Sequence, residues 1–437
     1  MGVDGLQDSF AGELIVPGDG DYDRARRCFN ALVDKRPAVI ARCADADDVA
    51  IAFAFARDNG LDVSVRGGGH NPAGHCLCDG LVIDLSRMRA VRVDAERRIA
   101  RAEGGATWLD FDSATTMAGL ATPGGVVGST GVTGLTFGGG IGHLTAQLGL
   151  TCDSLVAAEL VTSGGERVRA DADENSELLW ALRGAGGNFG VATAVEFRLH
   201  PVGDVLGGAL RFRGRDGVRQ ALRVFRDIAA RNPRTLSFQA GLDVDELNVL
   251  VCFTGGREDA ALLRELSSVP GIVRNEVRRQ TFLDQQLLVD SSYGVNRHYW
   301  KGHFVRELPD ELIDDLIARV SPLGGVLFES LHGAPKDVDP GTAVVGFRDA
   351  VFNITAQAVW QSPDDDDVEI AWARETAEVV APWSYAGGGY ANYMETDEPA
   401  SAAFGHDAFE RLRRLKARFD PDNVLRRNQN IAPAGVR

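Results

Sequence analysis

The sequence predicts an α+β protein of two domains, and three observations carry that prediction. Its 437 residues exceed what one hydrophobic core ordinarily serves, since roughly 150 residues make a domain. The first two hundred residues alternate short apolar strands with helical patterns. From about Leu206 longer alternating strands prevail, separated by helical stretches. Nine of the 51 glycines fall between Gly124 and Gly142, a concentration that points to backbone held against a ligand.

Pro37 to Arg42 reads as a strand. Asp45 caps the helix that follows, in which Val49, Phe53 and Ala56 share a face before Gly60 stops it. The alternating run Leu61 to Val65 leads into Arg66, Leu81 to Leu85 is a buried strand, and Ala90 to Ala102 is a hairpin turning near Asp94. Leu155 to Thr162 and Arg167 to Ala170 form a second hairpin across Ser163-Gly164-Gly165-Glu166. Asn175 caps a short helix through Leu182 that ends at Gly184, and Val191 to Leu199 returns as a strand. Further on, Leu206 to Arg213, Leu236 to Asp243, Leu247 to Thr254, Val326 to His332 and Val344 to Trp360 alternate as strands. Helices over Val218 to Ala230 and Glu311 to Val320 lie between them, a pattern suited to an antiparallel sheet backed by helices. The C-terminal stretch is helical again. Its basic run Arg411, Arg413, Arg414, Lys416 and Arg418 has the spacing of a solvated face, and Asp364 to Asp367 reads as a solvated loop.

Charge and composition remove several function classes. A net charge of −16 repels the nucleic-acid backbone, so no nucleic-acid partner is expected. No apolar run is long enough for a membrane helix, and the N-terminus lacks the basic start and apolar core of a secretory signal. A cytoplasmic protein is therefore expected. The six cysteines are too scattered for a disulfide scaffold and read as free thiols. Cys76-x-Cys78 has no second pair at zinc-ligand spacing, so no metal is expected. His75, His143 and His298 likewise lack ligand spacing.

Three glycine-rich segments stand beside strands: Arg66-Gly67-Gly68-Gly69-His70-Asn71, Gly124 to Gly142, and Gly184-Ala185-Gly186-Gly187-Asn188-Phe189-Gly190. Bare backbone can aim N–H groups at a pyrophosphate, which a chain this acidic would not hold by its overall charge. The dinucleotide pattern GxGxxG fails at Phe189, and that cluster follows a helix instead of opening one. No Walker A sequence is present. A dinucleotide held outside the Rossmann fold becomes the leading reading.

These segments, together with Gly149-Leu150-Thr151-Cys152-Asp153 and Tyr390-Ala391-Asn392-Tyr393, resemble the FAD-linked oxidases of the vanillyl-alcohol-oxidase superfamily. Within it the chain is most similar to the berberine-bridge-enzyme-like branch and, in its N-terminal third, to the hydroxynicotine oxidases. The resemblance implies an FAD-binding domain at 1–205, of PCMH type with a core at 34–204, and a substrate domain at 206–385. A berberine-bridge-like segment at 386–437 would return to the first domain. Expected cofactor residues are Arg66, Gly67, Gly68, Gly69, His70, Asn71, Thr130, Gly131, Gly134, Gly138, Gly139, Gly140, Gly142, Gly190, Val191 and Asn392.

By the same resemblance, FAD is linked covalently through His70. Val127 occupies the position where many relatives carry a second, cysteinyl link, so a single bond is expected, and Cys152 reads as a buried structural thiol. Tyr393 would be the general base and Tyr390 would line the pocket. A phenol with a pKa near ~10 needs a cationic or donating surround for that role. Glu329 and His332 both remain open as the group that tunes it. Tyr299-Trp300-Lys301-Gly302-His303 reads equally as pocket lining or as a strand edge. The implied reaction is hydride removal from a C–H next to a hydroxyl or amine of a small molecule, with O2 as acceptor and peroxide as product. Thr130, standing where relatives often carry valine or leucine, leaves a dehydrogenase with another acceptor open. A non-catalytic flavin-binding protein is the alternative from another class.

Overall fold

The computed structural model describes residues 4–7, 9–256, 260–289, 296–385, 389–396 and 398–435. It is an α+β, two-domain protein built on three principal sheets. The first is four-stranded, in the order Glu13–Ile15, Val39–Arg42, Leu81–Asp84, Val63–Arg66. Its last three strands are parallel, and Leu81–Asp84 is buried throughout, as a strand covered on both faces must be. Helix Ala46–Asp58 makes the crossover. Asp45 caps it as expected, its carboxylate accepting from the N–H groups of Asp47 and Asp48 at 2.9 and 3.1 Å. The chain leaves Val63–Arg66 at its carboxyl end, where parallel sheets present their ligand-binding loops.

The second sheet is antiparallel, in the order Val91–Asp94, Ile99–Glu103, Val191–Arg198, Leu155–Val161, Arg167–Ala170. Helix Trp108–Thr116 packs on it through Trp108 and Phe111, whose rings meet Phe197 at 6.1 and 5.4 Å. The third sheet has eight antiparallel strands and is covered by helices Arg215–Ala230, Ala260–Ser267, Asp310–Arg319 and Asp366–Val380. Phe225 of the first helix fills its core against Phe238, Phe328 and Phe352. No helix among the described residues is long and apolar enough to cross a membrane.

Several expectations need correction. Asn175 does not cap by its side chain. It adopts φ 49° and its amide donates to the Arg169 carbonyl at 2.8 Å. Val344 to Trp360 is not one strand: only Phe352–Trp360 is extended in the sheet, because Val344 N is drawn to the Arg183 carbonyl at 2.7 Å. The Asp364–Asp367 run is a 3-10 turn and the start of helix Asp366–Val380. Asp366 there pairs with Arg297 at 2.5 Å and accepts from Trp360 Nε1 at 2.7 Å. Lys416 is not on a solvated face, since its side chain is wholly buried against Asp420.

Candidate functional site

Between the glycine loops and the third sheet lies a cleft enclosing about 1530 Å³, its open mouth included. Gly67, Gly68, Gly69, His70, Asn71, Thr130, Gly131, Gly134, Gly138, Gly190, Val191, Asn392 and Tyr393 all line it. Two loops close on each other at Gly68 and Gly131, where a Cβ on Gly68 would stand 2.3 Å from Gly131 N. Asn392 is clamped in turn: its amide donates to the Leu135 carbonyl at 3.0 Å, and a Cβ on Gly138 would strike its Oδ1 at 2.1 Å.

The other expected residues stand behind this wall. Gly140, with φ +85°, packs on Thr151, and Gly139, with φ +111°, lies near Phe347. A Cβ on Gly142 would overlap the Gly124 carbonyl at 1.5 Å. Arg66 points away from the cleft. Its guanidinium pairs with Asp84, its register partner on the next strand, at 2.5 Å, and it also donates to the Ala25 and Arg27 carbonyls. Burial opposes charge on Asp84, but the Arg66 guanidinium, with hydrogen bonds from Ser86, outweighs it and holds that carboxyl below its usual range. Arg66→Lys is therefore expected to cost about 1–3 kcal/mol by losing donors to buried acceptors, read as a lower denaturation midpoint. Tyr390 is likewise behind the lining, ring to ring with Tyr393, Phe347 and Phe304 at 4.6, 5.5 and 5.9 Å.

His70 is the one titratable side chain of the Arg66–Asn71 loop on the cleft. Phe29 stacks on it at 4.0 Å and on His298 at 4.2 Å. Burial, and then the neighbouring His298, push its pKa down to about 4. The imidazole is consequently neutral at neutral pH, the form that nucleophilic attack requires.

Across the cleft, strand alternation decides which side chains arrive. On Gly324–Ser330, Phe328 packs into the helix-covered core, so Glu329 emerges on the opposite face. Asn353 is its register partner on Phe352–Trp360 and donates to Glu329 Oε2 at 2.7 Å, while Tyr393 donates its hydroxyl to Oε1 at 3.1 Å. Burial pushes Glu329 up to about 7 against the lowering effect of those two hydrogen bonds. Tyr393 is raised well above the usual phenol range, first by burial and then by the Glu329 charge. Its surround is thus carboxylate and not cationic. His332 is turned away, its Nε2 within 2.8 Å of the Leu236 carbonyl. The Tyr299–His303 strand divides by face: Tyr299 packs beneath helix Asp366–Val380 with Trp360 and Ala373, and Trp300 lines the cleft edge-on to Tyr393 at 5.0 Å.

Sequence reasoning did not place Phe29 and Asn353 here; it brought the C-terminal segment back to the first domain without naming Arg427, Asn428 and Gln429, which line the cleft. Strand periodicity held the signal for Asn353. Among the described residues no group of three or more His, Cys, Asp or Glu could hold a metal ion.

Residues 37–171 match the FAD binding domain family, and residues 389–432 match the berberine and berberine like family. The (R)-6-hydroxynicotine oxidase of Paenarthrobacter nicotinovorans is 30% identical, over 98% of each chain. The chain belongs to the berberine-bridge-enzyme-like FAD-linked oxidoreductases. A solved 6-hydroxy-D-nicotine oxidase from Arthrobacter nicotinovorans is similar with a TM-score of 0.88 at 30% identity, covering 97% of this chain and 98% of that one. BBE-like 1 of Physcomitrella patens shares the fold with a TM-score of 0.90 over all of both chains, at 21% identity. The cleft of this FAD-linked enzyme fits the cofactor. At Gly134 and Gly187 a Cβ would meet no protein atom within 4 Å, so bare backbone faces the space, and the neutral His70 stands on the same wall.

Proposed function

We propose that this FAD-linked oxidoreductase oxidises a C–H bond next to a hydroxyl or amine of a small molecule, with O2 as final acceptor and hydrogen peroxide as product. The hydrogen-bonded chain from Tyr393 and Glu329, which line the cleft, to Asn353 carries the reading. FAD, when bound, supplies the two-electron acceptor for the substrate hydride. Tyr393 takes the hydroxyl or amine proton at its Oη while its own proton passes to Glu329 Oε1. This route needs no free phenolate and so suits a tyrosine whose pKa is raised. Asn353 fixes the carboxylate by holding its other oxygen. Trp300 closes the substrate space beside Tyr393 with an apolar edge. The oxidase names of relatives support O2 as acceptor. Thr130 on the cleft wall favours the second reading, a dehydrogenase passing electrons to another acceptor. Peroxide release in air, against turnover with a redox dye alone, separates the two.

His70 is the proposed attachment point, and Val127, which also lines the cleft, removes the second one. The expected mass spectrum of the acid-denatured protein carries FAD on the His70 peptide alone. In His70→Ala the denatured protein should release all of its flavin. FAD retained on a cysteine, or on the alanine variant, overturns the single-link assignment.

A further inference from the structure

A second cavity lies behind the first glycine loop of the cofactor cleft. It encloses about 1230 Å³, its open mouth included, and Gly67 and Gly68 line both spaces. Arg66, which turns away from the cofactor cleft, lines this cavity together with Arg24, Arg27, Arg42 and Arg89. Among the described residues no Asp or Glu lines it. On a chain of net charge −16, five arginines around one space are a local reversal of sign.

Most of the arginines are held from behind. Arg66 donates to the carbonyls of Ala25 and Arg27, the latter at 3.1 Å, and so fixes the segment that carries Arg24 and Arg27. Arg24 pairs with Asp21 at 2.6 Å, and Arg42 with Glu13 and Asp84 at 3.1 and 3.3 Å. Arg89 meets both oxygens of Asp110 at 2.9 and 2.8 Å. None of these four carboxylates belongs to the lining. Arg27 is left as the uncompensated charge: it is exposed, and its guanidinium makes no ion pair or hydrogen bond among the described residues. Leu109 and Leu287, 39% and 52% exposed, line the same cavity and give it an apolar surface.

We propose that this cavity is a second binding site, for a small organic phosphate ester whose dianionic head sits among the arginines and whose apolar part lies on the leucines. An arginine fork offers parallel N–H groups to two oxygens of one phosphate, and forks arriving from several directions suit a head with three terminal oxygens. Arg27 supplies the charge that binding neutralises, and the paired arginines supply donors already oriented by their carboxylates. Because Gly67 and Gly68 belong to both walls, a ligand seated here bears on the loop that carries His70. The site depends neither on the oxidised substrate nor on the electron acceptor of the first cleft.

The test titrates the FAD-loaded protein with phenyl phosphate by calorimetry, at low ionic strength and about pH 8, where the ester is a dianion. Amide hydrogen exchange maps the bound state. One saturable site is expected, with slowed exchange at 24–27, 66–68 and 105–109. Arg27→Gln should weaken binding by about 10-fold, the loss of one charge-assisted partner, while Arg278→Gln, an equally exposed arginine on a distant strand, should leave it unchanged. Both positions are exposed, so neither variant should disturb folding. Inorganic phosphate, which lacks the apolar part, and benzoate, which carries a single charge, should each bind more weakly than phenyl phosphate. The absence of saturable binding, an equal loss in the two variants, or protection confined to the cofactor cleft overturns the second site. Benzoate binding as tightly as phenyl phosphate overturns the phosphate assignment, and inorganic phosphate doing so overturns the role of the leucines.

Discussion

Glu329→Gln is expected to lower kcat by about 100- to 10,000-fold, the range a positioned proton acceptor contributes, with a much smaller change in substrate binding. The amide keeps the shape and a hydrogen bond to Asn353 but cannot receive the Tyr393 proton, which the carboxylate accepts over 3.1 Å. Tyr393→Phe should fall in the same range, and the double variant should be little worse, because the proposed relay needs both groups. In the parent, kcat should rise with pH through about 7 as Glu329 gives up its proton, and that limb should vanish in Glu329→Gln. Stability moves the other way. Burial raises this carboxyl from its usual 4.5 to about 7, so the folded protein holds a proton that the unfolded chain releases. That contribution is complete below the unfolded value and is lost as pH rises through the folded one, so Glu329→Gln should be no less stable than the parent above pH 7. Unchanged kcat in both single variants, measured with the pH profile, would remove the relay from the mechanism.

The parts of this site that were legible in the sequence are those set by local backbone chemistry. The Gly68, Gly131 and Gly138 positions announced themselves because only glycine tolerates contacts of 2–3 Å at its Cβ position, and Gly69 because its φ of 66° favours glycine. Asp45 was legible as a cap for a similar reason, since its bonds reach only two and three residues along the chain. What escaped depends on cross-chain register. Whether Glu329 or His332 served Tyr393 turned on which face of a strand each occupies and which strand lies beside it. Asn353 became its partner through pairing across the sheet. Phe29 carries no periodic signal at all: its place is fixed by Asn30, whose side chain joins the Pro72 carbonyl to both the N–H and the carbonyl of His298. Asp366 misled for another reason. A run of aspartates looks solvated until an arginine such as Arg297 arrives from a strand distant in sequence.

Lys416→Met is expected to cost about 3–5 kcal/mol in unfolding free energy and to loosen the cofactor cleft at its far end. The argument begins with burial: the Lys416 and Asp420 side chains are both fully buried, 2.7 Å apart on one helix turn, so removing the ammonium strands a carboxylate without solvent. It continues with what the ammonium holds. Lys416 Nζ donates to the Asn188 carbonyl at 2.8 Å and to the Leu425 carbonyl at 2.9 Å, joining the Gly184–Gly190 turn to the C-terminal strap. Asp420 accepts from Val424 N and Leu425 N at 3.0 and 2.9 Å, and Asn188 Oδ1 accepts from Ile431 N at 3.1 Å. Gly186, Gly187 and Gly190 on one side, with Leu425, Arg427, Asn428 and Gln429 on the other, line the same stretch of cleft. A mere stability role and a clamp on this wall differ in what Lys416→Met/Asp420→Leu does. Replacing both charges by apolar groups of similar volume should recover most of the unfolding free energy, since no charge is left buried alone. The turn and the strap would still lack their common donor. In a His70→Ala background, which on the proposed attachment holds FAD without a covalent bond, the double variant should therefore release FAD faster than its parent on desalting, with faster amide exchange at 184–190 and 424–431. Equal FAD retention and exchange in the two proteins would reduce Lys416 to a stabilising ion pair.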